Sequence, residues 1–167
     1  MPEYRRKLPH FHPGNACLFV TWRIAGSVPG KPGSLWLADS RIADIVAQAI
    51  LVGECERQFY ELHAWAVMPN HVHLLIFPLV KVAALMRWLK GSTARRANQV
   101  LGRTGQSFWQ DESFDRYLRS SNEVGKFVAY IEGNPVSAGL VNRPEDWRWS
   151  SAGWKNRQAE PPAPPET

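Results

Sequence analysis

The stretch Phe59 to Met68 (FYELHAWAVM), the pair Pro69-Asn70 and the run His71 to Phe77 (HVHLLIF) decide the fold. Both runs are rich in β-branched and aromatic residues, and a two-residue Pro-Asn link is too short for anything but a turn. The segment therefore reads as two adjacent strands of a hairpin, with its register not legible. Working outward, Cys17 to Ile24 (CLFVTWRI) has the same character and reads as an earlier strand, followed by a Gly/Pro loop from Gly26 to Gly33. Between them, Ile42, Ile45, Val46, Ala49 and Ile50 recur at helical spacing behind Asp39 and Ser40, either of which can cap.

Beyond the hairpin, Val80 to Gly102 reads as a helix whose apolar stations Leu85, Trp88 and Leu89 alternate with basic residues; Gly91-Ser92 is the place for a kink. A loop and a fourth strand follow in Phe108 to Arg119. A further helix is expected with Asn122 as its cap and Val124, Phe127, Val128 and Ile131 as its apolar face. Pro135 is expected to end or break it, leaving a short second helix from Pro135 to Val141. The order β-α-β-β-α-β is the ferredoxin-like pattern. It is an α+β fold with one antiparallel sheet, helices on one face, and extra C-terminal helices. The division is a basic arm at 1–15, one domain at 16–154 and a Pro-rich, disordered tail at 155–167.

The 167 residues suffice for one domain, and 44% hydrophobic content with eight Trp excludes a disordered polypeptide. No run approaches a membrane span, and the opening lacks a signal peptide's apolar core. Cys17 and Cys55 fit no metal spacing, so a reducing cytoplasm is expected. Net charge is +5, yet no acid lies between Glu61 and Asp111, where Lys81, Arg87, Lys90, Arg95, Arg96 and Arg103 supply +6. Arg5, Arg6 and Lys7 add a smaller basic group. Cations concentrated this way are the footprint of a polyanion binder.

Two motifs carry chemistry. His71 and His73 are i and i+2 on a strand, so both imidazoles face one side and can address one divalent ion while Val72 points into the core. Alone, such a triplet more often marks two ordinary strand histidines. On the helix around Glu123 to Asn134, Glu123, Lys126, Tyr130 and Asn134 fall on one stripe at the edge of the apolar face. That places Tyr130 with a packed body and an open hydroxyl, Asn134 one turn later as a further metal ligand, and Lys126 one turn earlier as a phosphate contact. A tyrosine merely half-buried at a helix–sheet boundary fits the spacing equally well.

His63 to Leu75 (HAWAVMPNHVHLL), Phe108-Trp109-Gln110 and Tyr130 to Gly139 (YIEGNPVSAG) resemble the REP-associated tyrosine transposases of the HUH single-strand endonuclease superfamily. Glu3-Tyr4-Arg5-Arg6 and Trp147 to Ser151 also look like this family, and the resemblance spans residues 3 to 154. It implies that His71 and His73 hold Mg²⁺ or Mn²⁺, that Tyr130 is the nucleophile, and that Asn134 stands where relatives supply a third ligand. It implies single-stranded or hairpin DNA from extragenic repeats as partner, cut and rejoined through a 5′-phosphotyrosine, with Tyr4, Arg5 and Arg6 reading the element beside the stem. Arg87, Lys90, Arg95, Arg96 and Lys126 are the expected further DNA contacts. A bacterial, nucleoid-associated protein, monomeric or homodimeric, is implied. Trp88, Phe108, Trp109, Trp147 and Trp149 are stacking candidates, of which one or two are expected on DNA. Tyr117 is the rival nucleophile, His10 and His12 a second H-x-H in the arm, and His63 a neighbour of the pair or a core residue. The rival readings are a non-catalytic hairpin-binding module and a water-using, metal-dependent nuclease.

Overall fold

The computed structural model describes residues 14–27 and 34–159. Tyr4, Arg5, Arg6, His10, His12 and the Pro-rich end lie outside them. Four strands, β1 (Cys17–Ile24), β2 (Tyr60–Val67), β3 (His71–Pro78) and β4 (Trp109–Leu118), form one antiparallel sheet in the order β2-β3-β1-β4. Helices α1 (Ser40–Cys55) and α2 (Val82–Leu101) connect β1 to β2 and β3 to β4, which completes the ferredoxin-like βαββαβ order. Helices α3 (Ser121–Ser137) and α4 (Ser151–Ala159) follow.

The strands alternate between two cores, as their period of two requires. Leu18, Val20, Trp22 and Ile24 of β1, with Val72, Leu74 and Ile76 of β3, pack against α1 and α2. Phe19, Ala64, Ala66 and Leu75 face the other way, where Ile131, Val124, Phe127 and Val128 of α3 cover them. The two helices of the βαββαβ unit share one face, as expected, and the added helix α3, whose face the sequence left open, covers the opposite one. The residues on that side of β2, Ala64 and Ala66, are small enough to let α3 lie close.

Local signals account for the remaining differences. Asp39 caps α1 by accepting from the Arg41 amide at 3.0 Å. The cap of α3 is Ser120, whose hydroxyl accepts from the Glu123 amide at 3.2 Å, not Asn122. Helix α2 runs through Gly91-Ser92 unbroken. Pro135 neither ends nor breaks α3, and no separate helix starts there. The stop is Gly139, at φ +72, where Gly139 N–H donates to the Val136 carbonyl and Leu140 N–H to that of Pro135, a Schellman ending. That ending keeps Asn134 inside regular helix, one turn after Tyr130.

The disordered tail was expected from Lys155, but α4 carries the chain on to Ala159. Trp154 packs on the larger core, Lys155 pairs with Glu132 at 3.0 Å, and Arg157 donates to the Arg148 carbonyl. The segment leading into α4 also covers the edge of β2. Val67 N–H donates to the Trp149 carbonyl at 2.8 Å, Ala66 bridges Ser150, and Trp147 Nε1 donates to the Val67 carbonyl. The C-terminal end of this edge strand is thereby closed to further pairing. The packing leaves no room at Gly153, where an added Cβ would collide with the backbone carbonyl of Trp147. Gly153→Ala is expected to destabilise the protein by about 1–3 kcal/mol through overpacking, read as a lowered melting temperature. Faster hydrogen exchange at the Val67 amide should accompany it, and an unchanged melting curve would contradict this packing.

Candidate active site

The site lies on the α3 face of the sheet and takes one side chain or more from each of β1, β3, β4 and α3. His73 is 4% exposed and His71 half-buried, with their Nε2 atoms 3.1 Å apart. Each ring is held from behind. His71 Nδ1 lies 2.7 Å from Asn70 Oδ1, and an amide oxygen only accepts, so Nδ1 carries the proton and Nε2 presents its lone pair. His73 Nδ1 lies 2.8 Å from the Thr21 hydroxyl, which can donate or accept. Thr21 can therefore stabilise either tautomer of His73. In one, His73 Nε2–H donates to His71; in the other, two lone pairs converge on a common point.

Burial, then the neighbouring Arg23 guanidinium, push the His71 pKa down to about 4. Burial, then His71 and Arg23, push His73 to about 3. Both rings are thus neutral at physiological pH, the form that ligates metals. Asn134 brings its side-chain amide nitrogen, an N–H donor, to 3.4 Å from His73 Nε2. Two convergent imidazole nitrogens, oriented by partners on their far sides, are donors of the kind a divalent cation takes, and Asn134 would add its amide oxygen only with the side-chain amide turned over.

Tyr130 stands next to this set. Its ring is 5.5 Å from that of His73 and 6.2 Å from Phe19, while Phe19 stacks on His73 at 5.6 Å. The residue remains 53% exposed, so about half of it stays open to solvent. A groove of about 470 Å³ runs past it, lined by Phe19, Arg23, His73, Glu112, Phe114 and Tyr130. The structure thus brings together His71, His73, Tyr130 and Asn134.

It separates the others. Tyr117 pairs with Leu18 and packs on the α1–α2 core, so it faces away from the histidines; burial, then Asp115, push its phenol up to about 12. His63 sits exposed at a bulge in β2 rather than in the core. Arg87, Arg95 and Arg96 lie on α2, on the far side of the sheet, and Lys126 is exposed on α3, one turn before Tyr130. Lys90 is half-buried and donates to the Gln110 and Asp111 carbonyls at 2.6 and 3.2 Å, which fastens α2 to β4. Of the stacking candidates, Phe108 and Trp109 are core residues; Trp88 is partly buried against the larger core, and Trp147 and Trp149 spend their indole N–H groups on the Val67 carbonyl and Asp44.

Sequence reading missed Thr21, Arg23, Asn70, Glu112 and Phe114. The register pairs Thr21 with His73 and Arg23 with His71, so the period of β1 held the signal once its partner strand was known.

The model of the IS200-like transposases matches residues 39–134, a span that contains His71, His73, Tyr130 and Asn134. This chain belongs to that transposase family. A protein designated a REP-associated tyrosine transposase in Haemophilus influenzae is 26% identical over 109 residues, covering 58% of this chain; the chain spans 61% of that relative's length. A REP-associated tyrosine transposase solved bound to a REP hairpin superposes with a TM-score of 0.68 at 23% identity, over all of this chain and 93% of that one. It shares the fold. No helix among the described residues is long and apolar enough to cross a membrane.

The depressed histidine pKa values predict a pH signature in chelator-treated protein. Between about pH 4 and 6.5 the unfolded chain binds more protons than the native pair, so stability falls as pH is lowered through that window. Melting temperatures measured from pH 7 to 4.5 should fall less steeply in His73→Gln than in the unmodified protein. Parallel slopes would contradict neutral, buried imidazoles.

Proposed function

We propose that the protein is a metal-dependent single-strand DNA endonuclease and strand-transfer enzyme that acts at repeat-associated hairpins, with Tyr130 as nucleophile. The observation that carries this reading is the placement of an exposed tyrosine beside two converging, neutral imidazole nitrogens on the rim of an open groove. His71, His73 and Asn134 are the residues that would hold Mg²⁺ or Mn²⁺. When bound, such an ion supplies Lewis-acid polarisation of a phosphate oxygen.

This chain's own residues do the rest. Arg23 is the cation lining the groove, and it neutralises charge on the phosphodiester. Phe19 backs both His73 and the Tyr130 ring, so the nucleophile approaches from a fixed side. The Tyr130 oxygen forms a bond to phosphorus as the bond to the 3′-oxygen breaks; the phenol proton leaves to solvent and the 3′-oxygen takes one up. The product is a 5′-phosphotyrosine with a free 3′-hydroxyl. Because the ester keeps the energy of the original linkage, a 3′-hydroxyl can attack it and rejoin strands without ATP. Lys126, one turn before Tyr130 and exposed, offers a further contact for the DNA backbone.

Labelled hairpin DNA with single-stranded flanks, incubated with Mn²⁺ and run on a denaturing protein gel, tests this directly. We expect a covalent adduct with the unmodified protein and none with Tyr130→Phe or with chelator. Cleavage without an adduct would replace this reading with a water-using nuclease. Hairpin binding that is unchanged by Tyr130→Phe and by chelator, with no cleavage in any sample, would replace it with a binding module.

A further inference from the structure

The groove beside Tyr130 contains two side chains that phosphoryl transfer leaves without a task, Glu112 and Phe114. Both line the groove, Glu112 at the register shift opposite Arg23, and Phe114 pairs in register with Thr21, whose hydroxyl touches His73. Phe114 is 54% exposed, with its ring edge-on to Phe19 at 6.2 Å. Next to the nucleophile itself, it is the open aromatic ring of this groove, whereas the tryptophans considered for stacking are packed or hydrogen-bonded elsewhere. A base stacked on such a ring contributes about 1–3 kcal/mol, whatever its identity.

Glu112 has the wrong charge for a groove that receives a phosphodiester, so a phosphate contact does not explain it. A carboxylate only accepts hydrogen bonds, through two oxygens side by side. Guanine presents two adjacent donors, N1–H and the N2 amino group, on its Watson–Crick edge. Adenine and cytosine set an acceptor next to their amino donor, and thymine flanks its single donor with two acceptors. A carboxylate therefore favours guanine among unpaired bases read on that edge. The groove volume of about 470 Å³ is in the range of small-molecule sites.

We infer that Phe114 and Glu112 form a nucleobase subsite that takes an unpaired guanine next to the scissile phosphate, stacked on Phe114 and read by Glu112. The inference rests on the proposed function, since it supposes single-stranded DNA in this groove. The subsite is a specificity element, distinct from the residues that hold the phosphate.

The test reads binding, independent of cleavage. Tyr130→Phe protein is equilibrated with a hairpin carrying randomised single-stranded flanks, and the bound fraction is sequenced. Guanine should be enriched at one flank position, and adding Glu112→Gln should abolish that enrichment. Replacing that guanine with inosine, which lacks the N2 amino group, should weaken binding about tenfold when Glu112 is present, the size of one hydrogen bond to a charged group. The same replacement should change little in the E112Q protein, whose neutral carboxamide cannot accept both guanine donors. Phe114→Ala should weaken binding of all flank sequences about equally, again by roughly tenfold. Glu112 is exposed, so E112Q leaves the fold intact. No enriched position, or an enrichment unchanged by E112Q, would overturn the subsite. An adduct on Tyr130 without guanine enrichment sinks this inference alone, whereas enrichment without an adduct sinks the tyrosine mechanism alone.

Discussion

The antiparallel pairing of β1 with β3 sets everything at the site. Thr21 lies opposite His73 and Arg23 opposite His71, so one strand orients the His73 ring and places a guanidinium beside both imidazoles. The same period sends Leu18, Val20, Trp22 and Val72 into the larger core, where α1 and α2 bury them. A slip of one residue would exchange the two sets, putting imidazoles into an apolar core and leucines onto the groove. Register is therefore fixed by hydrophobic burial on one side, and the chemistry on the other side inherits that precision. Helix α3 completes the arrangement by crossing to the histidine face, where Ile131 and Phe127 anchor it and Tyr130 meets His73.

Electrostatics follow from that geometry. Two imidazoles 3.1 Å apart and shielded from water cannot both be charged, and the Arg23 guanidinium opposes protonation further. The pair is held neutral with its far-side nitrogens tied to Asn70 and Thr21, which leaves the near-side nitrogens for a shared ligand. Arg23 then has two effects with one charge: it keeps the rings unprotonated and it offers the groove a cation. The arginines of α2 lie on the far face, exposed to solvent, and cannot share that local role.

Strands and helices were legible because each carries an unambiguous period: the apolar runs of β1 and β3, and the Val124, Phe127, Val128, Ile131 stripe of α3. The histidine pair and Tyr130 were legible as one site only through their resemblance to a family, since each motif alone fits an ordinary surface. What the sequence could not display is which face α3 covers, because an amphipathic helix packs equally well on either side of a sheet. Pro135 misled because α3 runs through it and takes its ending from Gly139, four residues on. The end of the chain misled because its prolines cluster late, whereas Trp154 and Lys155 still find partners. Thr21, Arg23, Glu112 and Phe114 are unremarkable strand residues until register sets them around His73.

The central claim is that Tyr130, and not the oppositely facing Tyr117, joins the DNA at the histidine site. Mass spectrometry of the trypsin-digested adduct decides it, because the two tyrosines fall in different peptides. Tyr117 belongs to the short fragment between Arg116 and Arg119, and Tyr130 to the long one that starts at Phe127. We expect the nucleotide mass on the fragment starting at Phe127, with fragmentation assigning it to Tyr130. A nucleotide on the Tyr117 fragment would contradict this account of the site.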